Sequence, residues 1–246
     1  HKHRRRQRQM CIRDSPYCRA WDPAYAYELA SIIRHGIDEM WGENLDVFHY
    51  VMLYNENQQQ MPKPPDVDDG IVRGAYKIEE VGEKRKKIRL LGSGPILRNV
   101  REAASELLSE HGISSEVWSV TSYGELRREG LEHERSRRLN PEISEEPYVS
   151  RCFGDETPTV ATSDYICSVP EMIQRWIGGR YIVLGTDGFG RSDTREALRS
   201  FFEIDTNSIV VASISALEQE GTLPSGTVEK ELEKRNLNKE RIDKAE

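Results

Sequence analysis

Several patterns that would point directly to a protein class are missing from this chain. No stretch approaches the roughly 18 consecutive apolar residues that a membrane-spanning helix needs, and the basic start is not followed by the apolar segment of a signal peptide. The four cysteines, Cys11, Cys18, Cys152 and Cys167, form no CxxC pair, so we expect reduced thiols. These absences favour a soluble, cytoplasmic protein.

The short motifs of several enzyme classes are also missing. There is no GxxxxGK[ST], HExxH or GxSxG, so P-loop, zinc-protease and serine-nucleophile chemistry have no support. The histidines show no metal-ligand spacing, which favours core or capping roles. Gly92-Ser93-Gly94 follows a predicted strand and opens a helix, but Leu97 stands where the third glycine of GxGxxG belongs. A plain tight turn is therefore favoured over a phosphate site.

The charge is divided unevenly along the chain. The formal net charge is -7, but residues 1–15 carry six Lys or Arg against Asp14, a local +5 that leaves -12 for the rest. A body this acidic argues against a nucleic-acid partner, because binding to phosphates needs clustered basic residues. The basic segment 1–15 has no apolar periodicity and is interpreted as non-native or disordered. A nucleic-acid arm, or a metal site using His1 and His3, is the alternative.

The next part of the chain predicts one helix, one strand and a linker. Asp22 and Pro23 suit a helix start, and Gly42 is expected to end the helix. Its apolar face is formed by Tyr25, Leu29, Ile32, Ile33, Ile37 and Met40. Residues 47–54 are rich in β-branched and aromatic residues and predict a buried strand. The proline-rich residues 55–74 predict a linker between residues 16–54 and a domain over 75–246.

From residue 75 onwards, predicted strands alternate with predicted helices. The strands are expected at 75–81, 87–91, 116–120, 159–163 and 181–184, and the first two suggest a hairpin. Helices are expected over 95–111, 122–129, 169–177, 194–202, 206–220 and 227–235. Residues 130–158 look irregular, with the helix before them able to continue to Leu139. This alternation predicts an α/β fold with a mostly parallel sheet and helices on both faces.

Residues 181–195, YIVLGTDGFGRSDTR, form a segment that we call the elbow. An apolar strand breaks into a glycine-rich turn, and Asp193 is expected to cap the next helix. Asp187, Arg191, Ser192 and Asp193 stand close together there. Arg191 between two carboxylates suits either an ion pair that locks the loop or contact with an anionic ligand, and we favour the structural lock.

Five segments together resemble a known family. They are DPAYAYELA at 22–30, NEN at 55–57, LLGSGPILRNVREAA at 90–104, SVTSYGELRREG at 119–130 and VLGTDGFGRSDTREALRSFFEID at 183–205. These segments are similar in sequence to the homodimeric bacterial type of pyruvate dehydrogenase E1 component. The resemblance extends across essentially all of residues 16–246. The resemblance implies a transketolase C-terminal-domain-like fold for residues 75–246, preceded over residues 16–54 by a helix-strand remnant of the middle, pyrimidine-binding domain.

The resemblance also implies what such a protein does and which parts are not on this chain. Family members use thiamine diphosphate and Mg²⁺ to decarboxylate pyruvate and pass the acetyl group to the lipoyl arm of E2 dihydrolipoyl acetyltransferase. Their GDG and NN cofactor motif is absent, and Gly185-Thr186-Asp187-Gly188 is only a superficial echo of it. We therefore expect no cofactor on this chain alone, and the resemblance assigns no catalytic, cofactor-binding or metal-binding residue to it. The expected role is support of dimerisation and active-site architecture, and the alternative is a free-standing, non-catalytic α/β interaction or regulatory module.

Overall fold

The computed structural model describes residues 15–83 and 87–237. The strands in these residues are β1 (Cys18–Trp21), β2 (Phe48–Val51), β3 (Ala75–Val81), β4 (Lys87–Gly92), β5 (Ser114–Val120), β6 (Thr159–Thr162) and β7 (Tyr181–Leu184). The α-helices are α1 (Ala26–Ile37), α2 (Asp68–Arg73), α3 (Leu97–His111), α4 (Tyr123–Leu139), α5 (Tyr148–Phe153), α6 (Arg195–Phe201), α7 (Thr206–Gln219) and α8 (Thr227–Lys234). Short 3-10 helices span Gly94–Ile96 and Pro170–Trp176, and a wider π turn, Asp38–Gly42, extends α1. The predictions for residues 1–14, including Cys11, lie outside the described residues.

The larger sheet has five strands in the order β3-β5-β4-β6-β7. All neighbouring strands are parallel except β3, which runs antiparallel to β5. One face is packed by α3 and α7 through Leu90, Val100 and Ile214. The other face is covered by α4, α5 and the 3-10 helix Pro170–Trp176. Trp118, Phe153 and Trp176 pack together there. The predicted α/β fold with a mostly parallel sheet is confirmed.

The predicted hairpin of β3 and β4 is wrong. β5 lies between these two strands and pairs with both of them. All seven residues of β5 are buried, as expected for a strand with neighbours on both sides. The alternation of apolar residues within β3 and β4 cannot identify which strand each will join, because pairing is decided by contacts that are distant in the sequence.

The N-terminal part of the described chain, residues 15–54, forms a second small sheet that packs against the larger domain. β1 pairs with β2 in parallel, and β1 had not been predicted. The backbone N–H of Asp22 donates to Thr121 O at 2.8 Å, and Ser122 Oγ donates to Ala20 O at 2.6 Å. These bonds join the small sheet to the end of β5.

The start of α1 differs from the prediction. The helix begins at Ala26 rather than at Asp22, and Tyr25 is its N-cap residue. Glu28 in the first turn reaches back and accepts hydrogen bonds from the N–H groups of Ala24 and Tyr25, which precede the helix. Asp22 is not the cap because its side chain accepts a hydrogen bond from the Tyr54 hydroxyl at 2.5 Å.

Two further stretches contain more structure than predicted. Residues 130–158 include the rest of α4, which does continue to Leu139, and the unpredicted helix α5. Residues 55–74, predicted as a linker, contain α2. Within the described ranges, no helix is long and apolar enough to cross a membrane.

Candidate functional site at the carboxyl edge of the sheet

The elbow follows β7 at the edge of the sheet where β4, β5 and β6 also end. The four residues singled out there, Asp187, Arg191, Ser192 and Asp193, are all exposed. Asp187 Oδ2 accepts a hydrogen bond from the Cys167 N–H at 3.3 Å. Asp193 Oδ1 accepts from the neighbouring Thr194 N–H at 2.7 Å. Each carboxylate is thus occupied by a backbone donor.

The contact made by Arg191 is not the predicted ion pair. Its guanidinium carbon lies 4.1 Å from the centre of the Phe201 ring, a cation–π contact on the first helix after the elbow. Within the described part of the chain, neither Asp187 nor Asp193 forms a salt bridge with it. The helix cap is also different: Thr194 Oγ1, not Asp193, accepts the Ala197 N–H at 3.3 Å. The loop is held by a ring contact and backbone bonds.

The segment before α2 crosses the same edge and fastens the elbow. Glu56 accepts hydrogen bonds from Arg199 at 2.7 and 3.2 Å, and its carboxylate lies 3.8 Å from Arg195 and 3.7 Å from Arg98. Arg195 also donates to Asn55 O. The role of Glu56 was not predicted from the sequence, because its hydrogen-bonding partner Arg199 lies 143 residues away and no local pattern predicts that pairing.

Next to this cluster, the loop after β6 carries Asp164, which is exposed. Desolvation by neighbouring groups raises the pKa of its carboxyl group, and the nearby Arg199 partly offsets that increase. Asp164 O accepts the Thr186 hydroxyl at 3.1 Å, so the loop after β6 supports the beginning of the elbow. The carboxyl edge is therefore a set of mutually bonded loops.

The Gly92-Ser93-Gly94 turn is occupied by the chain itself. Gly94 has φ +49°, and a Cβ there would lie 2.6 Å from Asp22 Oδ1 and 2.9 Å from the Tyr54 ring. Its N–H donates to Asp22 O at 3.2 Å, and Ser93 Oγ lies 3.1 Å from Ser163 Oγ. The space where a phosphate would approach this helix start is filled by Asp22 and Tyr54, in agreement with the favoured tight turn.

His49 has two structural partners. His49 Nδ1 accepts from Trp21 Nε1 at 2.9 Å, so its other nitrogen carries the proton that faces Glu39 at 2.8 Å. Burial lowers the pKa of His49, although Glu39 opposes this effect. This chain of bonds places His49 as a link between the two strands and α1 rather than as a ligand.

The residues do not fit the magnesium and diphosphate group that the resemblance implies. Asp187, in the segment 185–188 that partly resembles the GDG motif, is exposed and accepts a hydrogen bond from a backbone N–H. Across residues 15–83 and 87–237, the one cluster with metal-ligating side chains is Glu110, His111 and Glu231. Lys234 and Arg235 already pair with its carboxylates, at 2.6 to 2.9 Å.

Comparisons with known proteins give two adjoining family matches. Residues 2–61 match the family described as pyruvate dehydrogenase E1 component middle domain. Residues 74–205 match the family described as transketolase-like TK C-terminal domain. The two matches therefore follow one another along the chain with a short gap between them.

The curated relatives are similar over nearly the whole chain. The chain is 44% identical to the pyruvate dehydrogenase E1 component of Pseudomonas aeruginosa over 92% of its length, which is 26% of that protein. It is 41% identical to the one from Escherichia coli, covering 93% of the chain and 26% of the relative. For Mycobacterium tuberculosis the values are 41%, 85% and 23%. The chain thus spans about a quarter of the length of these relatives.

Solved structures with a similar fold include transketolases. Campylobacter jejuni transketolase superposes with a TM-score of 0.58 at 18% identity, covering 85% of this chain and 28% of that one. A split-gene transketolase described as an inactive β4 tetramer gives a TM-score of 0.51 at 17% identity, covering 84% of this chain and 59% of that one. At these identities the similarity establishes the fold.

Proposed function

The chain belongs to the family of transketolase-like TK C-terminal domains, and from this premise we propose that it is the C-terminal part of a pyruvate dehydrogenase E1 subunit. The complete subunit would use thiamine diphosphate and Mg²⁺ to decarboxylate pyruvate. It would then transfer the acetyl group to the lipoyl group of E2 dihydrolipoyl acetyltransferase. We place this subunit in the cytoplasm as a homodimer.

The observation that carries the proposal is the order of the two family matches along one chain. A middle-domain match precedes a C-terminal-domain match, and identity to the pyruvate dehydrogenase E1 component of Pseudomonas aeruginosa extends over 92% of the chain. The transketolase similarity alone would support only the fold. The continuous match across both parts supports the more specific assignment.

In this proposal the role of the chain is architectural. The elbow, Glu56 and the Asp22–Tyr54 pair hold the end of the middle domain on the carboxyl edge of the C-terminal domain. Chemistry at the cofactor belongs to the remainder of the subunit, and no residue here is assigned a catalytic role. The chain's own residues would fix the position of the small β1–β2 sheet, which in this proposal belongs to the middle domain.

A chimera tests the proposal. The corresponding C-terminal quarter of the Pseudomonas aeruginosa enzyme is replaced by residues 16–246 of this chain, and pyruvate-dependent dye reduction is measured with thiamine diphosphate and Mg²⁺. We expect activity within about tenfold of the parent, since the two sequences are 44% identical over this region. A chimera that is folded and dimeric but inactive would refute the proposal.

The alternative is the free-standing, non-catalytic interaction or regulatory module. This alternative predicts that the isolated chain is monodisperse and that the chimera described above has no pyruvate-dependent activity. Seven of the ten large apolar side chains with high exposure in the described residues lie in residues 17–53: Tyr17, Ile33, Ile37, Trp41, Leu45, Phe48 and Leu53. So much exposed apolar surface on one part disfavours a stand-alone module.

A further inference from the structure

A chain of hydrogen bonds crosses the small sheet and joins it to the end of α1. Trp21 Nε1 donates to His49 Nδ1 at 2.9 Å, and His49 Nε2 lies 2.8 Å from Glu39 Oε2. Trp21 is on β1, His49 is on β2, and Glu39 is in the π turn that extends α1. Trp21 is buried, and only 9% of the His49 side chain is exposed. The proposed function does not use this chain of bonds.

The direction of the first bond fixes the protonation state of His49. An indole N–H donates a hydrogen bond and cannot accept one. His49 Nδ1 therefore keeps its lone pair, and the imidazole is neutral, with its one proton on Nε2 facing Glu39. A second proton on Nδ1 would place two donors against each other. The Trp21 N–H would then be buried without its acceptor, which costs free energy.

Close packing around the His49 ring leaves it little room to turn. A Cβ added to Gly36 on α1 would lie 3.1 Å from the ring. The indole of Trp21 is nearly parallel to the ring, at 7°, with the ring centres 5.9 Å apart. His35 meets the ring edge-on, at 6.0 Å between centres. Because the imidazole is held from several sides, a second proton is accommodated by breaking the bond to Trp21.

The charged and titratable groups around His49 come from α1, its π turn, β1 and α4. Glu39 lies 3.5 Å from His35 Nε2 and 3.4 Å from Arg19, and Arg19 reaches Glu125 on α4 at 3.2 Å. Burial lowers the pKa of His49, Glu39 and Glu125 oppose this effect, and His35 adds to it. The stabilisation by the neutral ring is thus complete above the ordinary pKa of about 6.5 and is lost as the pH falls below it.

We propose that Trp21, His49 and Glu39 form an acid-sensitive latch, which holds β1, β2 and α1 together while His49 is neutral and opens when His49 takes up a proton from solvent at Nδ1. Trp21 is followed directly by Asp22, whose N–H donates to Thr121 O at the end of β5. Opening of the latch therefore loosens the segment that joins the small sheet to the larger domain. The contact between the two parts of the chain depends on pH for this reason.

The test follows two sets of NMR signals of the ¹⁵N-labelled chain between about pH 8 and pH 5. The indole N–H signal of Trp21, assigned through its loss in Trp21→Phe, reports the bond to His49. The ring nitrogens of His49, assigned through their loss in His49→Gln, report the tautomer. We expect the Nε2–H tautomer at the high-pH end. The Trp21 signal should then shift with one midpoint, below about 6.5, that coincides with the titration of His49.

Hydrogen exchange measures whether the small sheet loosens. The Met52 N–H donates to Trp21 O at 2.9 Å, and the Thr159 N–H in the larger sheet donates to Arg180 O at 2.8 Å. After correction for the intrinsic pH dependence of exchange, the protection of Met52 should fall by about tenfold across the titration relative to that of Thr159. Equal protection ratios at both ends of the titration would contradict the opening of the latch.

Three variants identify the group that titrates. In His49→Gln the Trp21 signal should no longer depend on pH, whereas a response caused by the buried Glu28 would persist. His35→Gln should keep the response with a slightly higher midpoint, because the charge that opposes protonation of His49 is removed. Glu39→Gln should lower the midpoint by about one pH unit, because the carboxylate favours the protonated ring.

The proposal is overturned if the Trp21 signal does not move with pH, moves equally in His49→Gln, or stops moving in His35→Gln. If His49→Gln does not fold, the Glu39→Gln variant decides: a lower midpoint supports the latch, and an unchanged or higher midpoint overturns it.

Discussion

Replacing Glu28 by alanine should destabilise the contact between the two parts of the chain. Glu28 is fully buried and accepts four hydrogen bonds. Two come from the N–H groups of Ala24 and Tyr25 at 2.5 and 3.0 Å. The other two come from the hydroxyls of Tyr76 and Ser119, both at 2.7 Å, which belong to β3 and β5 of the larger sheet. One side chain of α1 thus satisfies donors from both parts.

The magnitude follows from the donors left without an acceptor. A buried donor that loses its acceptor costs about 1 to 3 kcal/mol. Tyr76 can turn towards the Tyr27 hydroxyl, 2.6 Å away, but the two backbone N–H groups of Ala24 and Tyr25 cannot rotate. We therefore expect Glu28→Ala to lower the free energy of unfolding by about 4 kcal/mol, a large part of the roughly 5 to 15 kcal/mol typical of a domain.

Urea unfolding, followed by the fluorescence of the four tryptophans, measures this change. Glu28→Gln keeps one acceptor oxygen and should lose about half as much. Glu132→Ala, at an exposed helical position, is the matched control and should change stability by less than about 0.5 kcal/mol. A loss below about 1 kcal/mol for Glu28→Ala, or one equal to that of Glu132→Ala, would refute the reasoning.

Three further predictions concern acid stability, the glycine turn and the exposed apolar surface. Burial alone would raise the pKa of Glu116, but contacts with nearby Lys and Arg side chains lower it from 4.5 to about 2. Its stabilisation, at most about 3 kcal/mol, is present above pH 4.5 and lost as the pH falls through 2, so acid unfolding of Glu116→Gln should lack this part of the pH dependence. Gly94→Ala should lower the free energy of urea unfolding by more than about 2 kcal/mol, because the new Cβ would lie 2.6 Å from a carboxylate oxygen in a left-handed backbone. Trp41→Ser, at a side chain that is 85% exposed, should reduce self-association in sedimentation velocity experiments.

Each of these three has an outcome that contradicts it. The acid prediction fails if Glu116→Gln and the parent lose stability in parallel between pH 4.5 and 2. Gly221→Ala, with φ +73° and nothing within 4 Å of its added Cβ, isolates the backbone effect, so an equal loss in both glycine variants would exclude a clash at Gly94. Leu139→Ser is the matched surface control, at 70% exposure. If Leu139→Ser reduces self-association as much as Trp41→Ser does, the exposed apolar surface of residues 17–53 has no special role in self-association.

The long-range pairing of strands was out of reach of the sequence. β3 and β4 are consecutive and separated by a short charged turn, so local reasoning favoured a hairpin. The structure inserts β5 between them. The strand β1 was missed because its four residues, CRAW, have no alternation of their own and gain their partner from β2. In each case the deciding contact is with a segment far along the chain.

At the candidate site too, the local structure was predictable from the sequence and the side-chain contacts were not. The strand, turn and helix of the elbow follow from apolar residues, glycines and a polar helix start, which are local properties and were predicted correctly in their order. The roles of Arg191 and Asp193 were wrong, because a ring on α6 and a hydroxyl at Thr194 compete better for them. The pairing of Glu56 with Arg199 had no local signal, because the two residues are 143 positions apart.

The sequence by itself therefore determined the alternation of strands and helices, the mostly parallel α/β fold and the family resemblance, since these depend on periodicity and on residue types within short windows. Only the tertiary structure decided which strands neighbour one another, that Asp22 and Tyr54 fill the turn at Gly94, and that Glu28 joins the two parts. Buried polar groups take whichever partner the fold brings within about 3 Å, and that choice depends on the whole chain.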